Sequence, residues 1–315
     1  MPPPVATATP LVVLNPHASR LHDPETRRVL TSALVKAVRA RTGQDPIVAD
    51  GTVEDAQIAF AEAAAGRPSL VVVAGGDGTV RQAASALGGT GIPIAIVPCG
   101  TGNVLASGLR LGGPAAMARA LSTAVERVVD LGEVSWGVDP ETPDGVETFV
   151  VACGMGLDAR IMEATDLHLK RRFSFGAYMA SAAREVFRPR PSLFRVDVDG
   201  DVSESTGLLV LVANAGELIP GLLGPRRAID PCDGLLEVLV LGGRNAFGAA
   251  RGGLELLLRR DGPHGGLALR RSGRTIRVSA EPAQPIQIDG DVHGQGWLEA
   301  RIVPGALTVL VPAEA

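Results

Sequence analysis

The stretch LVVVAGGDGT, residues 70–79, decides the reading of this chain: an apolar run from Leu70 to Ala74 enters a turn of Gly75, Gly76, Asp77, Gly78 and Thr79 with no polar break. Such a run reads as a strand buried on both faces, and the segment VRQAASAL after the turn has helical spacing. Strand, glycine turn and helix start together make an anion cradle. Gly75, Gly76 and Gly78 let backbone N–H groups approach an anion with no Cβ in the way. Thr79 is placed to cap a helix whose unpaired N–H groups favour negative charge. Asp77 is the odd residue, because a bare carboxylate repels phosphate. It makes sense if it holds Mg²⁺, or a water bound to that phosphate.

The plan repeats. The run IPIAIVP, residues 92–98, leads into Cys99-Gly100-Thr101-Gly102-Asn103, with Thr101 set to bond a phosphate oxygen or to cap the helix NVLASGL. A third apolar run, LVVL, ends at Asn15-Pro16. A single Gly-Gly-Asp-Gly also serves as a plain tight connection. Three such turns beyond the carboxyl ends of parallel strands, where ligands of open sheets gather, argue for a phosphate-handling site. Neither turn is a dinucleotide or P-loop signature: no Gly-x-Gly-x-x-Gly opens the first helix and no Gly-Lys-Ser/Thr supplies a lysine.

Around these turns, TRRVLTSALVKAVRA and VEDAQIAFAEAAAG alternate with the apolar runs in the manner of a parallel α/β sheet. The pattern breaks near Asp130-Leu131-Gly132. Beyond it, ETFVVACG, SLFRVDVDG, TGLLVLVANAG, GLLEVLVLGG and RTIRVSAE are β-rich runs bounded by Gly, Pro, Asp or Asn, and AFGAARGGLELLLRR is the helical exception. The expected fold is α/β: a Rossmann-like parallel-sheet domain over residues 1–131, then a mainly antiparallel β-sandwich over 132–300. LTVLVP is a last short strand, and no fixed-period repeat is present.

A chain of 315 residues with 46% hydrophobic content can fill two cores. Cys99, Cys153 and Cys232 are odd in number and widely spaced, which gives neither a disulfide framework nor paired zinc spacing and suits a reducing cytoplasm. The opening MPPPVATATP lacks the basic and apolar parts of a signal peptide, and no run reaches the roughly 18 apolar residues of a spanning helix. Any membrane is therefore expected to be met from its surface. From Arg160 to Arg277 the chain carries 18 Lys and Arg against 13 Asp and Glu, so the basic face lies in the second half. Lys170-Arg171-Arg172, FSFGAYMASAAREVF, Arg188 and Arg190 suit anionic headgroups, but basic residues more often mark a solvated face and apolar residues at helical spacing a core. His17, His22, His168, His264 and His293 form no metal spacing or triad.

The ordered set resembles the lipid kinase family that includes bacterial diacylglycerol kinases and sphingosine kinases. It rests on Gly75 to Thr79, on Pro98-x-Gly-Thr-Gly-Asn ending at Asn103, on Asn15-Pro16 and on ACGMGLDARI from Ala152. Asp233-Gly234-Leu235 and Asp289-Gly290-Asp291 match two late motifs. The first block alone is shared with NAD kinases and phosphofructokinases; the whole series spans nearly the full chain.

The resemblance implies an ATP-dependent phosphoryl transfer to a lipid hydroxyl in an interdomain cleft, with the chain returning to the first domain over 301–315. Diacylglycerol, giving phosphatidate, is the first acceptor and a sphingosine-like base the second. ATP would be held by Gly75, Gly76, Asp77, Gly78, Thr79, Gly100, Thr101 and Asn103, with Asn15, Pro16 and Thr52 as neighbours. The family takes its general base from a late Asp-Gly-Glu, so Asp291, one methylene shorter, stands as the base here, with Asp77 as the second residue expected to be needed for catalysis. Mg²⁺ would sit on the Asp233 carboxylate and on backbone oxygens near Asp230 and Leu235. Val104 stands where many diacylglycerol kinases have aspartate, a departure that bears on the acceptor. The expected setting is the cytoplasm, peripheral to the inner face of the membrane, with a lipid surface and no nucleic acid as partner; a homodimer is compatible. An NAD kinase would show an Asn-Glu motif that Asn214-Ala215-Gly216 does not supply. A catalytically weak lipid or nucleotide sensor is the reading that Asp291 keeps open.

Overall fold

The computed structural model describes residues 8–139, 141–156, 191–216, 229–242 and 267–313. The chain divides at Leu131/Gly132 and at Val303/Pro304: Met1–Leu131 with Pro304–Ala315 form one unit, and Gly132–Val303 the other. The helical run AFGAARGGLELLLRR, the basic segment from Lys170 to Arg190 and the end of the ACGMGLDARI motif lie outside the described residues.

In the first unit β1 (Leu11–Leu14), β2 (Ile47–Asp50), β3 (Val71–Gly75) and β4 (Pro93–Pro98) alternate with α1 (Pro24–Thr42), α2 (Val53–Gly66) and α3 (Asp77–Leu87); α4 (Val104–Gly108) and α5 (Pro114–Ala120) follow. These four strands pair in parallel, in the order β4-β3-β1-β2, and Thr308 and Val309 of the chain's last strand add to β4, also in parallel. β3 is buried along its whole length, as a strand covered on both faces must be. α1 is fixed at both ends by its sequence. Asp23 accepts from the Thr26 N–H (2.8 Å), Pro24 opens the first turn, and Gly43 at φ 76° ends the last. Its buried Leu30, Leu34 and Val38 recur every four residues, the spacing of one helix face.

The second unit is all strand among its described residues. β5 (Val125–Gly137) enters it, followed by β6 (Gly145–Phe149), β7 (Ala152–Gly156), β8 (Ser192–Val198), β9 (Asp201–Ala213), β10 (Leu236–Gly242), β11 (Leu267–Gly273), β12 (Thr275–Glu281), β13 (Pro285–Ile288), β14 (Asp291–Gln295) and β15 (Trp297–Val311). The pairings here are antiparallel: β9 meets β8 through its first half and both β7 and β10 through its second. Burial alternates along β8, and Phe149, Phe194, Val196, Val210, Ile276, Val278 and Leu298 share one core with no exposed surface. The parallel sheet and the β-sandwich are as expected from sequence. ETFVVACG is a correction. It is two strands broken at Val150-Val151, because the Asp289 carboxylate accepts hydrogen bonds from the N–H groups of Val150, Val151 and Ala152 (2.7, 2.9 and 2.9 Å).

Candidate active site

The three motifs of the first unit follow strands that end in step. Leu14 pairs with Ala74, and Gly75 with Pro98. Just beyond them Asn15 N donates to Ala74 O (2.9 Å) and Cys99 N to Gly75 O (2.8 Å). The two glycine turns then touch through bare backbone. A Cβ on Gly100 would stand 2.6 Å from Gly76 Cα, and one on Gly76 would stand 3.2 Å from Gly100 Cα. Glycine is therefore required here for turn-to-turn contact, a reason that neither turn reveals alone.

Asp77 joins the same two turns. Its Oδ1 accepts from the Val104 N–H (2.7 Å), and its Oδ2 lies where a Cβ on Gly102 would be 2.7 Å away. Burial pushes the Asp77 carboxyl above the usual carboxylate range, and the N–H groups of Val104, Asn103 and Leu105 draw it part of the way back. The first turn thus caps the helix that follows the second. Thr101 does not cap α4: it is exposed, its hydroxyl 3.5 Å from Ser19 Oγ, and the N-cap residue is Asn103 at φ 50°. The Asn103 side chain clasps the turn instead, accepting from Gly100 N (2.9 Å) and donating to Gly100 O (2.6 Å).

Thr79 is also corrected as a cap. The helix starts earlier, with Gly76 at the N-cap, and Thr79 lies buried inside the first turn at 5% exposure. Its hydroxyl accepts from Asn15 Nδ2 (2.9 Å), which ties the β1 turn to the β3 turn. Asn15 Oδ1 in turn accepts from His17 N across half-buried Pro16 (2.9 Å). Gly78 is exposed, and a Cβ there would meet nothing within 4 Å. Thr52 is exposed and committed elsewhere: it caps α2, accepting from Asp55 N while the Asp55 carboxylate accepts from Thr52 N.

Sequence reasoning missed two cations. A polar cavity of about 500 Å³ opens beside Thr101, Gly102 and Asn103, and Arg20 and Arg110 line it. Arg20 follows five residues after Asn15 and could have been found there. Arg110 gave no signal, since its place depends on a turn at φ 56°.

In the second unit Asp289 and Gly290, at φ 45° and 91°, form the two-residue turn between β13 and β14, and Asp291 opens β14 exposed to solvent. Asp289 is the anchor of the pair, through its three bonds to Val150, Val151 and Ala152. Asp230 and Asp233 are exposed on one short turn, and each carboxylate accepts from the N–H two residues on, Cys232 N (3.1 Å) and Leu235 N (3.0 Å). Among the described residues no cluster of three His, Cys, Asp or Glu side chains gathers around one point. A magnesium ion on this turn would have the Asp233 carboxylate, backbone oxygens near Asp230 and Leu235, and water, a donor set that suits a hard cation. The glycine turns, in backbone contact at Gly76 and Gly100 at the head of α3, suit a phosphate chain.

The parallel-sheet unit with its glycine-rich edge and the antiparallel sandwich each have a known counterpart. Residues 9–134 match the diacylglycerol kinase catalytic domain, and residues 151–311 match the YegS C-terminal NAD kinase beta sandwich-like domain. The chain is 31% identical over 275 residues to a protein named diacylglycerol kinase from Mycobacterium tuberculosis, covering 84% of each. It is 26% identical over 249 residues to an uncharacterized protein from Synechocystis, covering 78% of this chain but 55% of that one. A solved diacylglycerol kinase structure from Bacillus anthracis superposes with a TM-score of 0.69 at 19% identity, over 96% of this chain and 97% of the other, and so shares the fold. The chain belongs to the family of diacylglycerol kinases and YegS-like lipid kinases. Among the described residues no helix is long and apolar enough to cross a membrane.

Proposed function

We propose that this chain is an ATP- and Mg²⁺-dependent lipid kinase acting peripherally at the cytoplasmic face of a membrane. It moves the γ-phosphoryl group of ATP to a lipid hydroxyl, with diacylglycerol as first acceptor, giving phosphatidate, and a sphingosine-like base as second. The observation that carries the reading is the backbone contact of Gly76 with Gly100, which sets two glycine turns side by side at the head of α3. The name of the 31% identical relative supports diacylglycerol as the first acceptor to try.

Gly75 to Thr79 and the turn from Gly100 to Asn103 hold the nucleotide phosphates, with Asn15 fixing the first turn through Thr79. Asp77 serves by holding the turns at their spacing. In the transfer the lipid oxygen bonds to the γ-phosphorus, the bond from that phosphorus to the β–γ bridging oxygen breaks, and the hydroxyl proton passes to Asp291. A structural magnesium, when bound, would sit on the Asp233 carboxylate and on backbone oxygens near Asp230 and Leu235, where it would hold that turn.

The test is incubation with γ-labelled ATP, Mg²⁺ and mixed micelles of diacylglycerol, monoacylglycerol, sphingosine or ceramide, with NAD as a soluble control. Label in one lipid supports the reading and names the acceptor. Label in NAD alone makes the protein a soluble kinase. ATP binding with no labelled product makes it a sensor, the reading that Asp291 in place of glutamate favours.

A further inference from the structure

A second cavity of the first unit lies between α1 and α5 and reaches the second glycine turn at Cys99. Its volume of about 1040 Å³ stands at the upper end of the range of about 300–1,000 Å³ usual for small-molecule sites. The floor is apolar, with Leu30 at 8% and Ala118 at 6% exposure, and Ala33 and Ala115 stand exposed on the facing walls. Val29 is left 56% exposed at its edge. The groove is held at a fixed width where α1 ends, because the Arg41 guanidinium donates to the carbonyls of Leu121 and Ala124 just past α5 (3.2 and 2.7 Å).

The rim is cationic. Arg20 lines the groove just before α1 begins, Lys36 and Arg119 line it towards the last turns of α1 and α5, and none of the three makes an ion pair among the described residues. The acidic residue of the lining, Glu25, is bridged by Arg28 (2.7 Å). Arg20 also lines the polar cavity beside Thr101, so the apolar groove and the polar cavity meet at one guanidinium. An apolar trough with unmatched positive charge at its mouth is complementary to a molecule with one hydrocarbon chain and an anionic head. A neutral lipid would leave Lys36 and Arg119 to water.

From this geometry we infer that the α1/α5 groove binds the acyl chain of an anionic lipid, with its phosphate head held at Lys36 and Arg119. The site is separate from phosphoryl transfer and does not require it. It gives the first unit its own hold on lipid, independent of the basic segment in the second half of the sequence.

The test uses the full chain and 1-acyl lysophosphatidates of 8, 12 and 16 carbons, kept monomeric and titrated by calorimetry without nucleotide. Affinity should rise about two- to fourfold per added methylene as the groove fills, and fall with added salt. Ala33→Trp fills the trough from an exposed wall and should cost at least tenfold in affinity with an unchanged melting temperature. Lys36→Glu with Arg119→Glu should weaken lysophosphatidate and leave 1-monoacylglycerol unaffected. Chain-length-independent binding, equal affinity for the neutral lipid, or unchanged binding by Ala33→Trp overturns the inference. So does a result in which lipid fails to bind and Ala33→Trp abolishes a concentration-dependent dimer, which would make a second copy the occupant. ATP binding measured alongside keeps this test distinct from that of the kinase reading.

Discussion

Asp77 Oδ1 accepts the hydrogen bond of the Val104 N–H at 2.7 Å, so a side chain from one glycine turn closes the N-terminus of the helix that follows the other. The pair fixes the distance between the two turns by one polar contact, while Gly76 and Gly100 fix it by steric fit. Asp77→Ala removes the acceptor and leaves the start of α4 uncapped. It should cost about 1–2 kcal/mol, the usual value of a lost cap, and at least 100-fold in turnover. Asp77→Asn keeps an acceptor oxygen and should retain most of the stability. Thermal melts and kinase assays of the two variants separate the roles: if Asp77→Asn loses turnover as fully as Asp77→Ala while melting like the native chain, the carboxylate charge itself is used.

The same carboxyl sets a pH dependence of unusual sign. Burial raises its folded value above the ordinary carboxylate value of about 3.9. Folding therefore favours the protonated form. That contribution is complete below the unfolded value and is lost as pH rises through the raised folded value. The difference in melting temperature between Asp77→Asn and the native chain should grow in favour of Asn across that window and then level off. Paired melts from pH 4 to pH 8 read it, and a flat difference means that burial does not govern this group.

Gly100→Ala is expected to be more damaging than its size suggests. The new methyl group would stand 2.6 Å from Gly76 Cα and 3.0 Å from Asn103 Oδ1, so backbone has to move. A cost of about 1–3 kcal/mol follows from overpacking, with loss of ATP binding as the turns part. Gly78→Ala, where the space is open, is the control and should melt within about 0.5 kcal/mol of the native protein. Equal effects of the two substitutions would remove the contact argument.

The turns themselves were legible because a buried apolar run followed by clustered glycines leaves few other readings. What each polar residue does within them was not. Thr79 and Thr101 both looked like caps, since threonine before a helical stretch is a common cap. Yet the helix after the first turn begins at Asp77, and the cap of the second helix comes from Asp77, 27 residues earlier. A contact of that sequence separation leaves no periodicity to read. The short strands β13 and β14 were hidden for a related reason: Gln287 is buried at 3% exposure within β13 and Val292 is exposed within β14, so their burial does not follow polarity. The broken strand at Val150-Val151 depends on Asp289, more than 130 residues away.

The cysteines give a check on the packing of the first unit. Cys99 is fully buried, and that burial raises its thiol to about 11, against a smaller opposing pull from Arg20. Cys153 is also buried and raised well above the ordinary thiol value, first by burial and then by the Asp289 charge. At pH 8 Cys99 is thiolate in about one molecule in a thousand. Iodoacetamide should therefore label Cys232, which is half-buried, well before the other two, and reach them only with denaturant. Mass spectrometry of a timed digest reads the order, and native labelling of Cys99 would place the β4 turn at the surface.

Asp289 and Asp291, two residues apart, are expected to fail in opposite ways. Asp289 accepts three backbone N–H groups and holds the junction of β6 and β7, so Asp289→Ala leaves three donors to find water or strain. A loss of about 2–3 kcal/mol or more is expected, since bonds to a charged acceptor are the costly ones to break. Asp291 is exposed at the start of β14, and Asp291→Ala should shift stability by no more than about 0.5 kcal/mol. If Asp291 takes the acceptor proton, its removal should lower kcat by about 100-fold or more with little change in the KM for ATP. Asp291→Glu then asks whether the site is built for the shorter side chain. A gain in kcat marks a reach left one methylene short, and a loss marks a site fitted to aspartate. Full activity of Asp291→Ala would move the general base to another residue.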